Sequence, residues 1–295
     1  MPACILALGQ AAQASLALIR SDTAMSETHQ PDSTDIVQLV SQGRHSQRWQ
    51  QWLSQLSSSA GREDELEHVN SLASILLSLD LPHKSIDLLT TVLKRNPIQV
   101  TLLNNLGHAY VMVGDYDQAL DVFHQALELQ PEDYRLLKNL GVTYLRANDP
   151  DGAIEYLSRV VEFDDTLADA VYYLGCAYEQ KGCGMMALRY LQRAVEIDGE
   201  NLEYLLRLAN LYETQESFLP ALAALNRAAD LVPALAPLYF RLGRCYLATG
   251  QRELACGSLK QYLEIGAEEP WYRQAEQLLA MLTTKDKGPS EAVGP

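Results

Sequence analysis

The sequence predicts an all-α fold, an array of helical hairpins stacked one on the next. Three observations predict it. From Leu66 onwards, apolar residues recur at the three- and four-residue spacing of helices. Small residues and tyrosines return to the same place every 34 residues. Glycine, asparagine or proline stands at most of the places where a helix must stop.

Taken in order, the chain begins with MPACILALGQAAQASLALIR and then turns polar, SETHQPDSTD. Residues 1–30 read as an N-terminal extension, helical at first and partly disordered. The apolar run has no basic start and is broken by Gly9-Gln10 and Gln13, which argues against a signal peptide. Cys4 lacks the small-residue box that precedes a lipidation site. Residues 31–62 read as a degenerate helical hairpin. Ile36, Val37, Leu39 and Val40 mark its first helix, and Trp49, Trp52, Leu53 and Leu56 its second, with Gly43 between. SSSAGRED is then a linker.

The period is clearest in Val100 to Pro131, two amphipathic helices joined by Gly114-Asp115. Gly107 recurs as Gly141, Gly175 and Gly243, with Ala209 in the remaining place. Tyr110, Tyr144, Tyr178, Tyr212 and Tyr246 follow three residues after each. Ala119, Ala153, Ala187, Ala221 and Ala255 recur on the second helices, followed by Phe123, Leu157, Leu191, Leu225 and Leu259. The small residues let paired helices approach, and the large ones fill the groove between them. Gly114, Asn148, Gly182 and Gly250 supply a left-handed turn residue. Asp115 and Asp149 are placed to cap the helices that follow, with Pro150 in a first position. Repeat 202–235 departs from this pattern: Glu216 stands at the turn and Pro220 early in the second helix, so a distorted turn is expected there.

A small residue, then Tyr, Ala, Phe or Leu, Ala and Pro at fixed places in 34 residues resembles the tetratricopeptide repeat (TPR). The resemblance covers six repeats over 66–269. A capping helix over 270–284 and a polar, disordered tail over 285–295 complete the chain. It implies a right-handed superhelical solenoid of TPR hairpins, with first helices lining the inner face and the C-terminal helix covering the end. The inward positions of that face would carry Asn104, Asn105, His108, Arg135, Lys138, Asn139, Tyr172, Tyr173, Arg207, Asn210, Phe240, Arg241 and Arg244.

Asn105 and Asn139 stand at equivalent places, and side-chain amides both donate and accept, so they suit gripping an extended backbone. Arginines offer forked donors to carboxylates, and flat aromatic rings are favoured at interfaces. The expected function is therefore binding: an adaptor, scaffold or chaperone holding an extended or helical segment of a partner protein, with acidic and apolar side chains. TPR chaperones of bacterial secretion and TPR factors of envelope or pilus assembly are the narrower alternatives. Lys138 and Asn139 match fragments of the carboxylate clamp of TPR co-chaperones, but Tyr172 and Tyr173 interrupt the set.

Bulk properties agree. The 295 residues are 47% hydrophobic, enough for a substantial core, and the net charge is −15. Such a field repels phosphate backbones and anionic headgroups, so neither nucleic acid nor a membrane surface is an expected partner. No run of 18 apolar residues suggests a membrane span. Five cysteines form no C-x-x-C and six histidines converge on no motif, so neither a metal nor another cofactor is expected. Nucleophile elbows, phosphate loops and zinc-protease motifs are absent, and no catalysis is expected. The compartment expected is the cytoplasm, with a periplasmic or lipid-anchored protein as the alternative. Apolar groups near the N-terminus raise self-association as a further expectation.

Overall fold

A computed structural model describes residues 63–265 and 271–284, with five helical positions between 47 and 54. The expected extension over 1–30, most of the hairpin over 31–62 and the tail over 285–295 lie outside the described residues. Every regular element among the described residues is helical.

The chain divides into two compact units between Tyr156 and Leu157. Unit 1 contains α1 (Glu63–Ser78), α2 (Pro82–Leu93), α3 (Val100–Val113), α4 (Tyr116–Leu129) and α5 (Tyr134–Arg146). The division falls inside α6 (Pro150–Phe163). Unit 2 continues with α7 (Ala168–Gln180), α8 (Gly184–Ile197), α9 (Leu202–Thr214), α10 (Phe218–Leu231), α11 (Ala236–Ala248), α12 (Arg252–Ile265) and α13 (Tyr272–Thr284). In both units the helices pack on their neighbours in sequence, α3 on α4 and α7 on α8, as a stack of hairpins requires.

The recurring residues form the cores. Leu88, Leu89, Leu102, Phe123 and Leu140 are fully enclosed in unit 1, and Leu174, Leu191, Leu225, Leu259 and Tyr262 in unit 2. Leu53, from the expected first hairpin, is buried in the unit 1 core. The glycines sit where the helices come closest. A Cβ on Gly107 would lie 2.5 Å from the Phe123 ring. A Cβ on Gly175 would lie 2.9 Å from Leu191, and one on Gly243 2.8 Å from Leu259. Asp115 and Asp149 cap as expected, accepting from the backbone N–H of Gln118 at 3.3 Å and of Gly152 at 3.1 Å.

The six turns within the hairpins share one geometry. Asp80, Gly114, Asn148, Gly182, Glu216 and Gly250 are left-handed. After each, a backbone N–H reaches back five residues, as Asp115 does to Tyr110 and Ser217 to Tyr212. The distortion expected at Glu216 is therefore not observed. Its φ is 55°, and the hydrogen bond from Ser217 is 2.9 Å. Pro220 is the third residue of α10, where no intrahelical N–H bond is lost. The turn is kept at the expense of backbone strain, since a left-handed L-residue costs about 1–2 kcal/mol. Glu216→Gly should stabilise unit 2 by up to about 1 kcal/mol, the strain relieved less the added freedom of the unfolded glycine. A midpoint in urea unchanged or lowered by this substitution would contradict that account.

Candidate functional site

The first helices carry a polar strip in each unit. In unit 1 it runs over α1, α3 and α5, whose apolar faces are turned into the core by Leu76, Leu102, Leu106 and Leu140. Asn70, Asn104, Asn105, His108 and Asn139 remain half-buried. The amide nitrogen of Asn105 donates to Asn70 Oδ1 at 2.7 Å and to Ser74 Oγ at 3.1 Å. That of Asn139 donates to Asn104 Oδ1 at 2.7 Å and to His108 Nε2 at 3.1 Å. The asparagines are thus tied to one another across repeats. Among the described residues, nothing takes the amide hydrogens of Asn70 and Asn104 or donates to the side-chain oxygens of Asn105 and Asn139. The strip therefore offers donors and acceptors in alternation, the complement of an extended backbone.

His108 has a defined state in this network. An amide nitrogen only donates, so Nε2 accepts and the proton resides on Nδ1. Its ring lies edge-on to Phe123, 5.6 Å between centroids. Burial, and then the charges of Arg146 and Lys138, hold its pKa below the ordinary 6.5. The unfolded chain therefore binds this proton more readily than the folded one. Stability from His108 is present above pH 6.5 and is lost as pH falls through 6.5 towards the depressed folded value. The ring-proton NMR titration of His108 should have its midpoint below 6.5, and one at or above 6.5 would contradict the neutral acceptor.

The remaining predicted residues of unit 1 are less organised. Arg135 is exposed and paired with Asp133 at 2.9 Å, beside its own helix start. Lys138 is half-buried on the same helix as Asn139.

In unit 2 the predicted residues separate into two groups. Tyr172 and Phe240 lie within the stack, 5% and 3% exposed, and offer no open ring face. Tyr172 stacks on Tyr204 at 4.5 Å and donates to Glu203 at 3.0 Å. Phe240 stacks on Trp271 at 5.4 Å and packs on Tyr262. Tyr173 stays half-buried, edge-on to Tyr172. Burial raises the Tyr172 hydroxyl's pKa and pushes Tyr204 up to about 12. Burial likewise pushes the Cys176 and Cys245 thiols up to about 11, leaving them inert.

The arginines are held by carboxylates one repeat earlier. Arg207 Nε donates to Glu179 at 2.7 Å, and Arg241 Nε donates to Glu213 at 2.9 Å with Nη2 2.7 Å from the same oxygen. These pairs neutralise two of the three predicted cations of unit 2. Arg244 and Asn210 are exposed, and Arg244 is in no ion pair among the described residues.

The structure adds a set of polar contacts that the sequence reading missed. His124 meets the Tyr144 hydroxyl at 3.0 Å in unit 1. In unit 2, Gln192 donates to Tyr212 at 2.6 Å and Asn226 to Tyr246 at 3.2 Å. Each joins a second helix to the tyrosine 20 residues on, so the repeated tyrosine fastens neighbouring hairpins as well as filling a gap. A polar residue 20 positions before each tyrosine was the available signal. Among the described residues, no three His, Cys, Asp or Glu side chains gather as a cation site, and no helix is long and apolar enough to cross a membrane.

Comparison with known proteins places this geometry. Family models of the tetratricopeptide repeat match residues 104–168 and 238–265. No curated protein matches the sequence significantly. Among solved structures, MamA is similar at 28% identity, over 55% of this chain and 95% of its own, with a TM-score of 0.52. YrrB, described as a TPR protein with an unusual peptide-binding site, is 21% identical over 64% of this chain and 97% of its own, TM-score 0.54. PilF of Pseudomonas aeruginosa is 14% identical over 77% of this chain and 99% of its own, TM-score 0.60. Register, turn geometry, helix pairing and family models agree: the chain is a tetratricopeptide repeat protein.

Proposed function

We propose that this protein is an interaction adaptor that holds an extended segment of a partner protein against its first helices. The observation that carries this reading is the amide strip of unit 1. Its side chains are fixed by their neighbours at 2.7 Å and still leave alternating donors and acceptors turned away from those bonds. Fixed amides lose little entropy on binding and grip a backbone irrespective of its side chains. In unit 2, Arg244 is exposed on a first helix and no described carboxylate neutralises its charge, so that unit would favour acidic side chains. That YrrB carries a peptide-binding site is consistent with such a role for the same fold.

The test begins with a peptide library displayed on phage and selected on the full chain. The selected peptides are then titrated by calorimetry. Asn104→Ala with Asn139→Ala should weaken them at least tenfold, roughly the loss of two backbone-type hydrogen bonds. Among peptides that bind unit 2, Arg244→Ala should weaken only those carrying Asp or Glu. Equal affinity for the double variant, at unchanged helicity, would overturn the proposal.

A further inference from the structure

The second helices of unit 2 carry a recurring contact of their own. Arg193, on α8, donates from Nη1 to Glu196 at 3.4 Å and places Nη2 3.9 Å from Asp165. Arg227, at the same repeat position on α10, donates from Nη2 to the Gly199 carbonyl at 2.8 Å. In both cases an arginine reaches back to the turn that ends the preceding repeat. The third member of the series is Gln261, on α12, and the facing turn residue is Pro233. Glutamine is shorter and uncharged, and no side-chain hydrogen bond joins it to that turn among the described residues.

What remains there is a cleft of about 500 Å³ between α10 and α12. Tyr239 and Tyr246 of α11 line it. Their rings are fixed, Tyr239 by donating to the Pro233 carbonyl at 3.0 Å and Tyr246 by the Asn226 amide at 3.2 Å. Gly257 leaves the α12 side bare: a Cβ built there meets nothing within 4 Å. Leu254, on the same helix, is 51% exposed. Asp230 and Glu253 stand on opposite helices, both exposed and in no ion pair among the described residues.

We propose that this second-helix cleft of unit 2 takes an arginine side chain from a segment of a partner protein. The chain itself places a guanidinium at the two preceding positions of the series, which identifies the group that fits. A planar guanidinium stacks on the half-buried Tyr246 ring and forks to carboxylates on either side. Its aliphatic stem has Leu254 to lie against. A net charge of −15 favours approach of a basic segment. The site is separate from the first-helix strips and does not depend on them.

N-Acetyl-arginine amide, titrated into the full chain and followed by amide NMR, provides the test. Saturable shifts are expected at Asn226, Tyr246, Glu253 and Gly257, and none with the isosteric, uncharged N-acetyl-citrulline amide. Gln261→Arg restores the arrangement of Arg193 and Arg227, so it should fold with an undiminished melting temperature and abolish the shifts. Asp230→Asn with Glu253→Gln should abolish them without filling the cleft. No response to arginine, equal response to citrulline, or shifts that persist in Gln261→Arg would each overturn the proposal. Concentration-dependent shifts at the same amides without arginine, lost in Gln261→Arg, would overturn it in favour of a second copy of the chain.

Discussion

Replacing Phe123 with alanine should destabilise unit 1 by about 3–5 kcal/mol, the range for emptying a fully enclosed aromatic site. Phe123 is 0% exposed, and its ring is the group that a Cβ on Gly107 would strike. The cavity would open between α3 and α4, and both helices are held on either side by further hairpins, so it cannot collapse freely. Gly107→Ala should cost about 1–3 kcal/mol by the opposite route, overpacking. The two sites are coupled. Gly107→Ala combined with Phe123→Leu recreates the Ala209 and Leu225 combination of repeat 202–235, and should cost less than the sum of its parts. Urea unfolding with a local probe in unit 1 measures the wild type, the three single variants (Phe123→Leu included) and the double variant. A Phe123→Ala loss under about 1 kcal/mol would contradict the packing described, since large losses arise where a core cannot relax.

Arg241→Met should cost about 2 kcal/mol, less than the loss for a fully buried pair because both side chains are 20% exposed. The loss arises mainly from leaving the Glu213 carboxylate without its cation. Adding Glu213→Gln should therefore recover part of it, giving a coupling of about 1 kcal/mol in a double-mutant cycle. The result decides what this arginine is for. If the two substitutions add within about 0.3 kcal/mol, the pair is not a structural tie, and Arg241 returns to the set available to a partner.

The repeat register was fully legible in the sequence, because packing uses the same residue types each time. Gly107 opposite Phe123 and Gly243 opposite Leu259 follow directly from spacing. The caps at Asp115 and Asp149 were legible for the same reason, since the signal and the bond lie within three residues. The candidate site was legible only in part. Asn105 and Asn139 were recognised as equivalent, but each donates to a neighbour outside that pair, Asn70 and Asn104, in the preceding repeat. Arg207 and Arg241 read as exposed cations because their carboxylates lie 28 residues earlier, a spacing with no meaning inside one helix. Tyr172 and Phe240 read as surface rings, yet Tyr204, on the first helix of the next repeat, and Trp271, just before α13, cover them. Glu216 shows the converse. Its residue type argued against the turn, and the shared tertiary packing imposed it regardless.

The central claim is that the first helices, through their fixed amides, are the surface that grips a partner segment. The most direct measurement is a crystal structure of the full chain with a library-selected peptide bound. The account predicts the peptide backbone extended along α1, α3 and α5, donating to the side-chain oxygens of Asn105 and Asn139 and accepting from the amide nitrogen of Asn104. A peptide seated on the second helices, with the amide strip uncovered, would contradict it.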